Sequence, residues 1–259
     1  MPLNVFITGA SGGIGAAFAR AYAARGATLG LSGHRKEALD ALAASLPGGK
    51  HRTYASDVTD RNAMIAAARD FEAAAGPADI VIACAGISIG VQSRYYEDLE
   101  VLQRTFDINV IGTANTFHGF LGSMIRRRAG TLVGIASVGG IRGLPGAEAY
   151  SASKAAVISY CESLRIEMRK EGVSVVTLCP GYVDTALSSK DPYSRPFLLQ
   201  PDEFARRALR AIDRKDSYAV IPWQMGVLAK AMRAAPNWLL DRILSKRKMK
   251  PREQELKGR

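Results

Sequence analysis

Tyr150 and Lys154 stand four residues apart in the stretch YSASK, which opens a segment with helical spacing. Residues at i and i+4 share one face of a helix, so the phenol and the ammonium are neighbours. A phenol ordinarily titrates near 10, too high for proton transfer at neutral pH. An ammonium one turn away favours the phenolate and brings that value down. Thirteen residues before the tyrosine, Ser137 ends the apolar run TLVGIAS. Strand ends in open α/β sheets face the ligand crevice, and a hydroxyl there can hold a carbonyl oxygen. The three residue types together can hold an oxygen and move a proton onto or off it. Taken singly, each reads better as a surface tyrosine, an exposed lysine or a strand-end turn serine.

A second chemical signal is the stretch ITGASGGIG, residues 7 to 15, which follows the apolar run LNVFIT. Glycines between a strand and a helix let the backbone turn sharply and approach a pyrophosphate. The helix N-terminus then supplies free N–H groups and a positive dipole. The spacing is Gly9, three residues, then Gly13-Ile14-Gly15, which differs from the more familiar G-x-G-x-x-G.

These residues need a scaffold, and the patterning supplies one. Short apolar strands at 3–8, 27–32, 52–56, 79–86, 130–137, 173–181 and 217–222 alternate with helical segments at 16–26, 36–46, 61–76, about 98–127, 150–171 and 202–212. Strands that are apolar on both sides and alternate with helices predict a parallel sheet covered on both faces. No internal repeat or interdomain linker appears before about residue 223. The expected organisation is a doubly wound domain over 1–222 and a helical, basic C-terminal extension over 223–259.

Composition is that of a globular protein. Cys84, Cys161 and Cys179 are too few and too irregular for a disulfide framework, and no His or Cys spacing suggests a metal site. His51 and His118 are expected to be structural or solvent-facing. The N-terminus lacks the pattern of a signal peptide, and no run is long and apolar enough to span a bilayer. A cytoplasmic setting is therefore expected. The formal net charge of +11 is uneven, because residues 223–259 carry ten Lys or Arg against three acids. With the charge in a tail and no nucleic-acid module, nucleic-acid binding is not expected.

The motifs in their order resemble the short-chain dehydrogenase/reductase family, in its branch of roughly 250 residues, and the match runs from residue 3 to about 222. TGASGGIG (8–15) matches the glycine turn, SDV (56–58) the strand-3 motif, and INVIG (108–112) the asparagine motif. IASVGG (135–140), YSASK (150–154) and PGYVDT (180–185) match the serine, the Tyr-x-x-x-Lys pair and the Pro-Gly loop. The resemblance implies a Rossmann-type sheet of about seven strands and a carbonyl–alcohol oxidoreductase. It makes Tyr150 the proton donor or base, and Lys154 the residue that tunes it and holds the nicotinamide ribose. Ser137 would orient the substrate oxygen, and Asn109 would hold a water in the proton relay. Gly9, Ser11, Gly13, Ile14 and Gly15 would cradle the pyrophosphate, while Asp57 and Val58 would flank the adenine. Ala85 and Gly86 would line the cofactor, and Pro180, Gly181, Val183 and Thr185 would meet its nicotinamide end. A homodimer or homotetramer is implied, pairing through the segments at 98–127 and 150–171.

Cys84 departs from the pattern, standing in ACAG (83–86) where the family usually has asparagine. It reads as a small buried residue or as a redox-sensitive thiol. At the end of the second strand the family's NAD enzymes carry an acid; here Gly33 occupies that position, with His34 and Arg35 next. A guanidinium suits a 2′-phosphate, so NADP(H) is expected and NAD(H) remains open. An NAD-dependent dehydrogenase of a small alcohol and a non-catalytic nucleotide sensor are the competing readings.

The segment 184–200 should form a lid, and its Tyr193, Pro196, Phe197, Leu198 and Leu199 imply an apolar or lipid-like substrate. In the tail, Pro236 should separate two helices. Leu239, Leu240, Ile243 and Leu244, beside Trp238, recur at helical spacing, with Arg242, Lys246, Arg247, Lys248 and Lys250 as the cationic flank. That composition suits a helix lying in a membrane interface, here the inner surface, and equally suits a helix packed on its own body.

Overall fold

The structure is a computed structural model that describes residues 2–189, 194–246 and 248–257. Tyr193 of the expected lid and Arg247 of the expected cationic flank lie outside the described residues.

Seven strands form one parallel sheet: β1 (Asn4–Thr8), β2 (Thr28–Gly33), β3 (Arg52–Ala55), β4 (Ile80–Ala83), β5 (Thr131–Ile135), β6 (Ser174–Pro180) and β7 (Tyr218–Ile221). Their order is β3-β2-β1-β4-β5-β6-β7. The chain winds outward from β1 in one direction, then returns through β4 to build the other half. The carboxyl ends of β1 and β4 therefore flank the switch point where such sheets take their ligands.

Alternation along each strand divides the core. Val5 and Ile7 of β1 face α1 (Gly13–Ala23), α2 (Lys36–Ser45) and α7 (Pro201–Asp213), whose Phe18, Leu39 and Phe204 are fully buried. Phe6 faces the opposite way, toward α3 (Arg61–Ala75) and α5 (Gly112–Arg127). Its ring lies 4.8 Å from that of Phe120 and 5.5 Å from that of Phe71. α6 (Glu148–Met168) completes this second layer through Val157, Cys161 and Leu164. A pattern apolar on both strand faces thus becomes two covered faces of one sheet.

The helix expected over about 98–127 is interrupted. It runs as α4 (Asp98–Phe106), a π-helical turn at Asp107–Ile111, and then α5. The inserted turn carries Asn109, which is fully buried. Such π turns often mark functional positions, because one widened turn re-aims a side chain without ending the helix.

The tail forms α8 (Trp223–Ala234), α9 (Asn237–Leu244) and α10 (Glu253–Lys257), with Pro236 capping α9. It packs back on the body: Met225 lies against Gly181, and Gly226 against Val220. Leu240 is buried, while Trp238 and Ile243 are exposed. One expectation for the tail is overturned. Lys250 does not belong to an outward cationic face; it is 6% exposed and its ammonium donates to Ser88 Oγ at 2.8 Å. The cause is the neighbouring backbone, because Gly90 pairs with Arg252 and its N–H donates to Pro251 O at 3.1 Å. No helix among the described residues is long and apolar enough to cross a membrane.

Candidate active site

The glycine turn lies at the carboxyl end of β1. Gly9 has φ +63°, and a Cβ there would fall 2.8 Å from the Ala85 backbone. The turn and the segment after β4 are therefore in direct backbone contact. Thr8 Oγ1 ties them further, accepting from Cys84 N at 3.2 Å. A Cβ on Gly13 would fall 2.6 Å from Thr185 Cγ2, so the loop after β6 closes over the same turn. α1 begins at Gly13 with no side-chain cap and no acid in its first turn. Its first N–H groups are left to meet an anion, and the dipole favours one. Gly9, Gly13, Ile14 and Gly15 thus fit a pyrophosphate.

At the adenine end, Ser11 Oγ lies 3.6 Å from where a Gly33 Cβ would stand, and Arg35 Nη2 lies 3.5 Å from Ser11 O. His34 and Arg35 are exposed at the mouth of the turn. Asp57 is exposed after β3 and accepts from Thr59 N, while Val58 is buried against Gly112. Between them these residues fit a dinucleotide across the switch point.

The catalytic candidates gather at the carboxyl ends of β4 and β5. Ser137 is nearly buried, and its Oγ accepts from Gly139 N at 3.0 Å. That bond uses an oxygen lone pair and leaves the hydroxyl proton to donate. A Cβ on Gly139 would lie 3.4 Å from Tyr150 Cε1 and 3.5 Å from Ser137 Oγ, so the serine and the phenol flank one glycine. Lys154 is buried, with Nζ 5.9 Å from the Tyr150 ring centroid and donating to Ile135 O at 2.8 Å. Burial pushes its ammonium down from 10.5 to about 8. It remains largely charged at neutral pH and so can favour a phenolate.

Asn109 braces this cluster. Its Oδ1 accepts from Ile87 N at 2.8 Å, and its Nδ2 donates to Ile87 O and to Ser153 Oγ. The π turn thereby links the segment after β4 to the helix that carries Tyr150. A Cβ on Gly86 would fall 3.0 Å from Asn109 Oδ1 and 3.5 Å from Lys154 Nζ. Gly181 N donates to Ile221 O, which fixes the turn after Pro180, and Val183 is buried beside Leu199.

Cys84 is partly buried, and burial pushes its thiol up to about 12, so it stays protonated and packs as a small apolar group. His51 hydrogen-bonds Pro47 O, and His118 is exposed. No cluster of His, Cys, Asp or Glu among the described residues could hold a metal ion. Of the lid residues, Pro196, Phe197 and Leu198 are exposed.

Sequence reasoning missed Ser88 and Lys250. Lys250 Nζ lies 5.9 Å from the Tyr150 ring centroid, the same distance as Lys154 Nζ. The only sequence signal was the glycine at 90, which lets a second backbone approach; the charge run at 246–250 pointed instead to a membrane interface or to solvent.

The comparisons with known proteins bear on the family and the fold. The family model for short chain dehydrogenases matches residues 3–194. An uncharacterized oxidoreductase of Myxococcus xanthus is 35% identical over 92% of this chain and 94% of its own length. Dehydrogenase/reductase SDR family member 7B of Bos taurus is 32% identical over 97% of this chain and 83% of its own. Among solved structures, a short-chain dehydrogenase from Streptomyces avermitilis superposes with a TM-score of 0.80 at 26% identity, covering 95% of each chain. A 3-oxoacyl-[acyl-carrier protein] reductase with bound NAD from Brucella melitensis has a TM-score of 0.73 at 30% identity, over 85% of this chain and 89% of that one. A phenol and a buried ammonium one helical turn apart, beside a strand-end serine and a glycine cradle, thus sit in the fold of these enzymes: the chain belongs to the short-chain dehydrogenase family of NAD(P)-dependent oxidoreductases.

Proposed function

We propose that this oxidoreductase interconverts a carbonyl and an alcohol with NADP(H), using Tyr150 as general acid or base. The observation that supports the reading is that Tyr150 and Ser137 approach the same glycine, Gly139, while the buried Lys154 ammonium lies 5.9 Å from the Tyr150 ring centroid. The nicotinamide, when bound, supplies or takes the hydride. The Ser137 hydroxyl holds the substrate oxygen, and Tyr150 gives that oxygen its proton in reduction or removes it in oxidation. Lys154 favours the phenolate and holds the ribose, and Asn109 orders the relay by which Tyr150 is recharged. Pro180, Gly181, Val183 and Thr185 hold the nicotinamide end. Tyr150→Phe should lower kcat at least about a thousandfold, in line with loss of general acid–base catalysis, and leave NADPH affinity nearly unchanged. Turnover within tenfold of the parent would remove Tyr150 from this role.

The preference for NADP(H) rests on Gly33, His34 and Arg35, which leave no acid at the end of β2 and an exposed guanidinium beside the turn. The Brucella structure carries NAD, so a similar fold accepts that cofactor too. Fluorescence titration with NADPH and NADH decides; equal or tighter NADH binding overturns the preference.

Two assembly readings accompany this. Ile111 and Ile166 are exposed on the π turn and α6, and we infer that these faces pair in a homodimer or homotetramer. Light scattering showing a monomer at micromolar concentration would count against it. Trp238 and Ile243 of α9 are exposed, and so are Arg242, Lys246 and Lys248, which suits contact with an anionic bilayer surface. Sedimentation with anionic vesicles at low salt tests that contact; protein left in the supernatant rejects it.

A further inference from the structure

The tail brings more than packing to the catalytic centre. Arg252 is 6% exposed, and its guanidinium grips Asp98 in a two-pronged ion pair, Nε to Oδ2 at 2.8 Å and Nη2 to Oδ1 at 3.0 Å. Nη2 also reaches Glu97 Oε1 at 2.9 Å, and the guanidinium lies 3.5 Å above the Tyr95 ring. Asp98 is itself 2% exposed and accepts from Gln92 N at 2.8 Å. Arg104 pairs with Glu253 just beyond, at 2.7 Å.

This clamp holds residues 249–252 along the segment Ser88–Val91. That segment is itself anchored, since Val91 packs with Val101 of α4 and Ala149 of α6. Gly90 must be glycine here, because any Cβ would collide with the carbonyls of Lys250 and Pro251. The result is a wall across the Tyr150 side of the crevice, and from it Lys250 extends inward to Ser88 Oγ and the Tyr150 ring. The acids of the clamp, Glu97 and Asp98, are engaged by Arg252. Glu148, on the helix of Tyr150, lines a groove with Arg142 and Leu144 together with Ala152 and Ala155, positions on the helix face away from Tyr150 and Lys154.

We propose that Lys250 is a specificity-determining residue of the carbonyl site, selecting substrates that carry an anionic group, such as a carboxylate, close to the reacting carbonyl. The inference rests on the reading of Tyr150 as the acid–base group. Lys154 and Lys250 then divide the work around one phenol: Lys154 serves the tyrosine and the cofactor, and Lys250 meets the anionic group next to the reacting carbonyl. Ser88 holds the ammonium in place and donates its own proton toward the same anion.

Short-chain 3-oxo acids and their methyl esters separate charge from shape. The wild-type enzyme should prefer the acid, chiefly through KM. Lys250→Gln should lower kcat/KM for the acid roughly thirtyfold, the scale of one lost hydrogen bond to a charged group, and for the ester much less. Lys250→Arg should keep part of the preference. A second measurement does not depend on turnover: calorimetric binding of butyrate and of butyramide to the enzyme–NADP(H) complex. Butyrate should bind more tightly to the wild type, and the two should bind alike in Lys250→Gln. The proposal is overturned if the wild type binds both alike, or if Lys250→Gln leaves the preference in place. It is also overturned if acid and ester lose rate together, since Lys250 would then act only on Tyr150. If no carbonyl compound is reduced, the reading of Tyr150 falls, while the butyrate comparison still decides Lys250.

Discussion

Lys154 and Lys250 place their ammonium groups 5.9 Å from the centroid of the same ring, yet the two regions that deliver them have little in common. Lys154 comes from the middle of the fold. It rises from α6, four residues beyond the tyrosine, and bonds a carbonyl at the end of β5. Its position is set by the helix and the sheet together, and its surroundings are dry enough to bring its ammonium down to about 8. Lys250 comes from a segment without regular structure, placed by the ion pairs of Arg252 two residues later. The first ammonium can be lost only by changing the residue; the second can be lost by releasing a clamp some distance away. On the proposed roles, proton chemistry falls to a residue held by helix and sheet, and choice of substrate to one held by a clamp of ion pairs.

The largest effect that would sharpen this contrast is expected at Lys154. Lys154→Met should cost about a thousandfold in kcat, in keeping with removal of a group that tunes a catalytic acid, and should also weaken NADPH binding. It should nevertheless make the apoprotein more stable. Holding a charged lysine in a site that depresses it from 10.5 to about 8 costs on the order of 3 kcal/mol. Below about pH 8 that cost is present in full, because folded and unfolded chains both carry the proton. As pH rises from about 8 to 10.5 the folded chain gives up its proton first, and the cost is relieved. The gain in melting temperature from Lys154→Met should therefore be several degrees at pH 7 and shrink above pH 8. A variant less stable than the parent at pH 7 would show that Lys154 is held by more than one carbonyl.

Arg252→Ala should act on the other region alone. The wall should loosen, KM for the carbonyl substrate should rise roughly tenfold or more, and the NADPH dissociation constant should stay within about twofold, as the clamp touches no cofactor residue. Limited proteolysis should cut near residues 246–252 far faster than in the parent. Arg252→Lys should rescue little, since an ammonium cannot reproduce the two-pronged contact and the stacking on Tyr95. Unchanged KM and unchanged proteolysis would mean that the tail keeps its place without Arg252.

The smallest effect concerns acid. The hydrogen-bonded Arg252 guanidinium holds the Asp98 carboxyl below its usual 3.8. The clamp's contribution is thus present above that value and fades only as pH falls through the lowered one. Protease resistance of the tail should be the same at pH 7 and pH 5. Release of the tail already at pH 5 would assign its hold to some other titrating group.

Much of the Lys154 region was readable in the sequence because its information is local. The glycine turn, Ser137 and the Tyr150–Lys154 pair lie within single elements or at their ends, where spacing fixes geometry. The strand pattern gave the sheet for a similar reason: burial on both faces leaves one reading of an apolar run. The π turn was hidden because Ile108, Val110 and Ile111 continue a helical pattern without a break. The Lys250 region was hidden by distance, since its bonds join residues 162 and 154 positions apart. A lysine followed by proline in a basic run looks solvated until the two acids that receive Arg252 are placed beside it. Of the expected apolar lid, Pro196, Phe197 and Leu198 are exposed in the described chain, and spacing alone says nothing of which way a loop turns its side chains.

The separation of Arg252 from Asp98 also bears on how the molecule comes together in time. Contacts between residues so far apart in the chain close a large loop and reward folding only after the loop entropy has been overcome. The sheet and its helices join mostly neighbouring elements and can assemble while the tail is still loose. During refolding, the circular dichroism signal and NADPH binding should therefore return ahead of discrimination between charged and neutral carbonyl compounds. For an interval the young enzyme would be a less selective catalyst than the mature one, with its chemistry in place before its taste.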